Sequence, residues 1–254
     1  MKSGRAVVIV TQGPMGTRVF WTNPPPCGLA RAYHRGMTTS LKIDFVSDVT
    51  CPWCAVGLGA LEQALGKLKA EVSADIHFQP FELNPHMGAE GQDASEHLTE
   101  KYGSTPEQQA QIRETIRQRG AEVGFGFKAE GRGRVWNTFD AHRLLQWAEV
   151  EGAAGQQPAL KKALLKACHG RAENMSSHAI LADVAESVGL DRARAEAILA
   201  SDEFAAEVRQ RQQFYASQGI RSVPAVIIND KHLISGGQPA EVFEQALRQI
   251  AAEA

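Results

Sequence analysis

Residues 41–54, Leu41-Lys42-Ile43-Asp44-Phe45-Val46-Ser47-Asp48-Val49-Thr50-Cys51-Pro52-Trp53-Cys54, decide how the rest of the chain is read. Ile43 and Phe45 alternate with polar neighbours at period two as far as Ser47-Asp48, which predicts an extended strand. Beyond the cysteines, Val56, Leu58, Leu61, Leu65 and Leu68 recur at spacings of threes and fours, the mark of one helical face. Residues 73–83 then form a second extended run through Ile76, Phe78 and Phe81, closed by Asn84-Pro85. The order is strand, cysteine pair, helix, strand.

A thiol attacks or leaves only as thiolate, and thiolate is favoured where the free N–H groups and positive dipole end of a helix face the sulfur. Cys51 is predicted to stand at such a helix start, with Pro52 where a missing N–H costs nothing and Cys54 one turn further along. The spacing predicts Cys51 as the accessible nucleophile and Cys54 as the more buried resolving thiol. A lower Cys51 pKa makes the disulfide a stronger oxidant, but the sequence does not place it on that scale. Asp48 either opposes the thiolate or lies harmlessly at the strand end, and the harmless reading is preferred. A zinc knuckle needs further ligands at short spacing; Cys168-His169 are adjacent, about 100° apart around a helix, so no metal site is assigned. Inert core thiols are the other bland reading, against which a Pro-Trp insert at a helix mouth argues.

With 27 Lys plus Arg against 29 Asp plus Glu in 254 residues, the net charge of −2 offers no electrostatic footprint for nucleic acid. No apolar run approaches the roughly 18 to 20 residues of a membrane span, and residues 6–10 are too short for a signal-peptide core. A cytoplasmic location follows as the expectation. Residues 1–36 carry Lys2, Arg5, Arg18, Arg31 and Arg35 with no acid, and are broken by Asn23-Pro24-Pro25-Pro26 and several glycines. This leader, counted as 1–40, is expected to be largely disordered and upstream of a natural start at Met37; Cys27 within it receives no role.

Residues 92–218 are rich in Ala, Gln, Arg, Glu and Leu and are expected to form an all-helical insertion. Helices are predicted over 106–120, 137–151, 158–169, 177–188, 191–199 and 202–218, with Ser104, Asn137, Ser177 and Asp191 near their starts. The glycine-rich stretch 124–133 lacks the strand-to-helix context of a phosphate loop and reads as a linker. A hairpin follows at 225–228 and 231–235 around Asn229-Asp230, then a helix opened by Pro239. Residues 41–91 and 219–254 together would make one α/β domain, β-α-β then β-β-α, interrupted by the insertion. Ser222-Val223-Pro224 stands immediately before the hairpin, where a proline implies an edge or bent geometry.

Cys-Pro-Trp-Cys after the first strand and Val-Pro before a terminal hairpin and helix resemble the DsbA-like branch of the thioredoxin superfamily. Ser47-Asp48, Phe81-Glu82-Leu83-Asn84-Pro85, Asn137-Thr138-Phe139-Asp140-Ala141-His142-Arg143-Leu144 and Ser235-Gly236-Gly237-Gln238-Pro239 are similar to its FrnE-like dithiol-disulfide oxidoreductases. The resemblance spans about residues 41–253. It implies a thioredoxin-like fold, a cis Val223-Pro224 bond facing the cysteines, and a substrate groove shaped by Pro52, Trp53 and the insertion. It also implies that Val223 offers its backbone to an extended substrate chain. Ala167-Cys168-His169-Gly170 departs from the pattern, which has an aromatic pair there, and Cys168 is read as a buried helical residue. His142 is expected near the groove but not as a general base.

The function expected is disulfide exchange on protein or low-molecular-weight disulfides, with no bound cofactor and with glutathione or a thioredoxin-type reductant as electron partner. A reducing compartment would favour reductase or isomerase turnover over net oxidation. The alternative is a glutathione-dependent isomerase or transferase of the 2-hydroxychromene-2-carboxylate isomerase and kappa-class type, which resembles this chain but carries Ser where Cys51 stands. A non-catalytic accessory using the groove alone is the third reading.

Overall fold

A computed structural model of the chain describes residues 9–13, 16–20 and 38–253. Within the leader, β1 (Ile9–Gly13) and β2 (Gly16–Phe20) pair antiparallel. The other residues before position 38, Cys27 included, lie outside the described ones, so the expectation for the leader falls largely outside them too. From residue 38 the chain runs β3 (Thr39–Ser47), α1 (Pro52–Lys67) and β4 (Val72–Pro80). Next come β5 (Gln92–Asp93), α2 (Ala94–Tyr102), α3 (Pro106–Glu122), β6 (Arg134–Val135) and α4 (Phe139–Val150). It continues with α5 (Gln156–Leu165), a π-helical turn at Lys166–Gly170, α6 (His178–Glu186), α7 (Arg192–Leu199) and α8 (Ala205–Ser217). The chain closes with β7 (Ala225–Ile228), β8 (His232–Ser235) and α9 (Ala240–Ala252).

Four strands form the main sheet in the order β4-β3-β7-β8. β3 runs parallel to β4 from Thr39 opposite Val72 to Ser47 opposite Pro80, which requires the α1 crossover between them. β7 joins the other side of β3 antiparallel, with Ile43 opposite Ile228, and β8 completes the hairpin. Asn229 and Asp230 both take positive φ in the hairpin turn, the conformation a two-residue loop demands. β3 is thus flanked on both edges, so the alternating residues of the opening stretch are buried in turn against two layers.

Leu41, Ile43 and Phe45 face α1 and α9 in one apolar cluster with Leu61, Val226 and Phe243. Val46 faces the other side, with Tyr215, Ile220 and Ala225. Phe45 is fully buried and its ring lies 5.6 Å from that of Phe78 on β4. Phe45→Ala is expected to cost about 3–5 kcal/mol, the range for emptying a buried phenylalanine site. A urea titration should show the midpoint falling with the slope unchanged.

The long insertion is mainly helical, as expected, but not entirely. β5 and β6 pair antiparallel, Gln92 with Val135 and Asp93 with Arg134, closing the α2–α3 excursion as a loop tied at its base. α2 was not among the predicted helices: it has no fully buried residue, so its sequence carries little apolar periodicity. Its signal is the cap, for Asp93 accepts from the N–H groups of Ser95 and Glu96. α3 starts with a capping box on Thr105 and Gln108, one residue beyond the expected Ser104. Ser177 and Asp191 cap α6 and α7 as expected. Residues 158–169, read as one helix, divide into α5 and the π turn.

α4, α5, the π turn, α6 and α7 enclose a second apolar cluster containing Leu144, Trp147, Leu160, Leu164 and Leu181. Val49, two residues before Cys51, is buried in that cluster. The loop carrying the cysteines is therefore held on one side by the sheet and on the other by the helices.

Candidate active site

Cys51 takes an extended backbone conformation as the N-cap of α1, and Pro52 occupies the first helical turn. Its side chain does not cap the helix, so the sulfur is left beside the free end of the dipole. The backbone N–H of Cys54 donates to the Cys51 carbonyl at 3.1 Å, closing the first turn and bringing the two thiols to the same side. Cys51 is 4% exposed and Cys54 is wholly buried. Cys51, predicted as the accessible thiol, is thus the less buried of the two but is itself a buried residue.

Val223-Pro224 is a cis peptide bond, and the Cys51 Sγ donates to the Val223 carbonyl oxygen at 3.6 Å. The fit of the surrounding backbone depends on two glycines. A Cβ on Gly57 would lie 3.1 Å from Pro224 Cγ, and one on Gly237 would lie 3.0 Å from the Trp53 carbonyl oxygen. The first turns of α1 thus press directly on Pro224 and on the strand-to-helix turn, which brings Cys51, Cys54, Pro52, Trp53, Val223 and Pro224 together at one end of the sheet.

The two sulfurs are tuned in opposite directions. The Cys51 thiol is lowered, first by the hydrogen bond from the Cys54 thiol and then by the backbone N–H groups of Cys54 and Trp53; burial and the Asp48 charge oppose this. Burial, followed by the proximity of Cys51, pushes Cys54 well above the ordinary thiol value. The two thiols are thereby distinguished by environment, Cys51 being favoured as thiolate and Cys54 disfavoured.

Asp48 is not an idle strand-end residue. It is completely buried and accepts from the N–H of Thr50 at 3.2 Å, the N–H of Leu83 at 2.7 Å and the Thr138 hydroxyl at 2.8 Å. His142 Nε2 stands 3.5 Å from the Asp48 carboxylate, without hydrogen-bond geometry. Burial raises its pKa, but His142, Leu83 and Thr138 together hold the carboxyl below its ordinary value. One carboxylate therefore fastens the cysteine loop to the β4 exit and to α4. Asn137 accepts from the Phe139 N–H at 2.8 Å, so the expected helix-start residue helps organise that same end of α4.

Behind the cysteines lie groups whose placement the sequence reading did not foresee. His169 Nε2 bonds the Val49 carbonyl at 2.9 Å, and Arg132 bonds the Thr50 carbonyl and hydroxyl. Lys161 on α5 is fully buried. Cys168 is buried, and its thiol is pushed up to about 12 by that burial, which makes it inert at neutral pH. Lys161 sits four residues before Leu165 and next to Leu160, a spacing that placed it on the packed face, yet a lysine in an Ala/Leu helix is ordinarily read as reaching solvent. Among the described residues no cluster of His, Cys, Asp and Glu could hold a metal ion, and no helix is long and apolar enough to cross a membrane.

The model of the DSBA-like thioredoxin domain matches residues 42–248. The chain belongs to the DsbA-like thioredoxin family. A solved structure of a probable DsbA oxidoreductase from Streptomyces coelicolor is similar to this DsbA-like chain at 31% identity and TM-score 0.78, covering 84% of this chain and 91% of that one. An uncharacterized Bacillus subtilis protein, YwbO, is 26% identical over 230 residues, 83% of this chain and 96% of its own. The cytosolic disulfide reductase DsbM of Pseudomonas aeruginosa, solved with glutathione, shares the fold at 14% identity and TM-score 0.57, over 82% of this chain and 98% of that one. The DsbA-like fold accounts for the sheet order and for the placement of the helices between β4 and β7. Members of the DsbA-like family are disulfide oxidoreductases.

Proposed function

We propose that this protein is a dithiol–disulfide oxidoreductase or isomerase of the FrnE-like kind, working in the cytoplasm through Cys51 as nucleophile and Cys54 as resolving thiol. The observation that carries this reading is the Cys51 sulfur at the start of α1, 3.6 Å from the Val223 carbonyl, with Cys54 sealed behind it. The Cys51 thiolate attacks one sulfur of a substrate disulfide, the substrate's second sulfur leaves as thiolate, and a mixed disulfide forms. Cys54 then attacks Cys51, the protein disulfide closes, and the substrate leaves reduced. Val223 makes no backbone–backbone hydrogen bond among the described residues, so its N–H is open to an extended substrate segment beside the sulfur, and its carbonyl, which accepts from the Cys51 thiol, is released when that thiol reacts. Pro52 and Trp53 form the lip of that groove. Protein disulfides and small disulfides such as oxidised glutathione are the substrates, with glutathione or a thioredoxin-type protein restoring the dithiol. In a reducing compartment the cycle runs as reduction or isomerisation.

Cys54→Ser removes the resolving thiol while its hydroxyl can still donate to Cys51, so it should retain substrates as mixed disulfides on Cys51. Non-reducing electrophoresis of the variant from a cell extract should show thiol-sensitive adducts that the wild type lacks. A redox titration of the wild type against glutathione should give a reversible two-electron couple. If no couple forms and glutathione binds without exchange, the glutathione-dependent isomerase reading replaces this one.

A further inference from the structure

The glycine-rich stretch 124–133, read from the sequence as a linker, is fastened to the cysteine loop and to its support. The N–H of Lys128 donates to the His169 carbonyl at 2.9 Å, and His169 in turn bonds the Val49 carbonyl. Further along, Arg132 Nη1 donates to the Thr50 carbonyl and, at 2.9 Å, to the Thr50 hydroxyl. Gly131 and Gly133 take φ of 82° and 73°, left-handed backbone that a side chain would strain, so the chain turns sharply on either side of Arg132. The arginine is half-buried; its Nε and Nη2 have no hydrogen-bond partner among the described residues and are not sealed from solvent. Neighbouring charges are already engaged. Arg134 bonds the Glu90 and Gly91 carbonyls, and Lys101 the Leu83 carbonyl and the Asn84 side chain. The Asp48 carboxylate accepts from Thr50, Leu83 and Thr138 rather than from Arg132.

Thr50 is bonded to Cys51, so covalent geometry places the Arg132 Nη1 no more than about 9 Å from Cys51 Sγ. A carboxylate one or two residues along an extended chain from a reacting sulfur lies about 4–7 Å from it, within that span. Nε and Nη2 form an edge of the guanidinium that grips a carboxylate through two parallel hydrogen bonds. We propose that Arg132 is a substrate-binding, specificity-determining residue that selects small disulfides carrying a carboxylate within two residues of the sulfur. This rests on the exchange function proposed above. Bonds to a neutral carbonyl and a hydroxyl need no full charge; what the charge adds is a partner for an anion, held one residue from the nucleophile. Attack by Cys51 is unaltered, because that thiol is activated by Cys54 and by the start of α1. The effect of Arg132 therefore falls on carboxylate-bearing substrates and fades as salt screens the charge.

The test compares disulfides of different charge, each in excess over the full-length reduced protein: oxidised glutathione with its carboxylates, neutral bis(2-hydroxyethyl) disulfide and cationic cystamine. Rates are followed as loss of free thiol after acid quenching. Arg132→Gln should slow the reaction with oxidised glutathione by about 10-fold, leave that with bis(2-hydroxyethyl) disulfide within about 2-fold, and speed that with cystamine by about 3-fold. Arg132→Lys should fall between wild type and Arg132→Gln on oxidised glutathione, since it keeps the charge and loses the fork. The advantage of wild type on oxidised glutathione should shrink as salt rises from about 0.02 to about 0.5 M. Thermal unfolding checks that the variants are folded, and Arg132→Lys serves the same comparison should Arg132→Gln not fold. If a folded variant slows all three disulfides alike, Arg132 steadies the cysteine loop and selects nothing, and the proposal falls while the exchange function stands. An unchanged rate with oxidised glutathione in Arg132→Gln would also overturn it. If the wild type reacts with none of the three, the exchange function is what fails.

Discussion

Cys51→Ser should abolish disulfide exchange while leaving the fold intact. The loss should be at least about 10³-fold in the reduction of a peptide disulfide with glutathione as reductant, because a serine hydroxyl at neutral pH supplies no anion able to attack sulfur. Cys51 is 4% exposed, and its sulfur donates to the Val223 carbonyl at 3.6 Å, a contact the smaller hydroxyl can take over. Circular dichroism and the urea midpoint should therefore stay close to wild type, which assigns the lost activity to the sulfur. The same substitution separates the competing function sharply. The glutathione-dependent isomerases that resemble this chain carry serine at this position, so activity of that kind would survive it. Retained turnover in Cys51→Ser would remove the nucleophilic role assigned here.

Acid should unfold this protein through His169. The ring is buried, donates to the Val49 carbonyl, and stands in the field of Arg132; burial above all, then Arg132, lowers its pKa to about 3. In the unfolded chain the imidazole titrates near its ordinary value of 6.5. Above pH 6.5 it is neutral in both states and contributes nothing to the pH dependence. Below that, the unfolded chain binds a proton that the folded one refuses, so stability is lost as pH falls toward the folded value. The slope approaches about 1.4 kcal/mol per pH unit. His169→Gln keeps a donor near Nε2 and removes the titration. At pH 7 it should be less stable than wild type by about 1–2 kcal/mol through lost packing against Phe127. Its stability should then cross that of wild type near pH ~5 and exceed it below. Urea titrations at several pH values measure both curves, and parallel curves would show that His169 does not set the acid limit.

Local patterns carried the architecture because they are local in cause. The alternation at Ile43 and Phe45 and the threes and fours from Val56 to Leu68 report burial on one face of a strand or helix, and β3 and α1 lie where they predict. Asn229-Asp230 and Pro239 mark the hairpin turn and the start of α9 for similarly local reasons, positive φ in one case and a fixed helical entry in the other. α2 was illegible because it buries no residue fully, and the short β5–β6 ladder because two-residue strands have no period. The glycines at 57 and 237 were equally silent as site residues, since their requirement comes from Pro224 and Trp53 on distant parts of the chain.

From sequence alone came the strand–Cys-Pro-Trp-Cys–helix unit, which depends on neighbours within about one helical turn, whereas the thioredoxin-like fold was implied by a resemblance in motifs far apart in the chain. Only the tertiary structure decided what stands behind those thiols. Asp48 lies three residues from Cys51, yet its role comes from Leu83, Thr138 and His142. Lys161 stands in an Ala/Leu-rich helix whose lysines are ordinarily read as reaching solvent, yet it is fully buried once the helices have packed. A side chain's charge state is a property of its surroundings, and those surroundings exist only after the inserted helices have closed over the sheet.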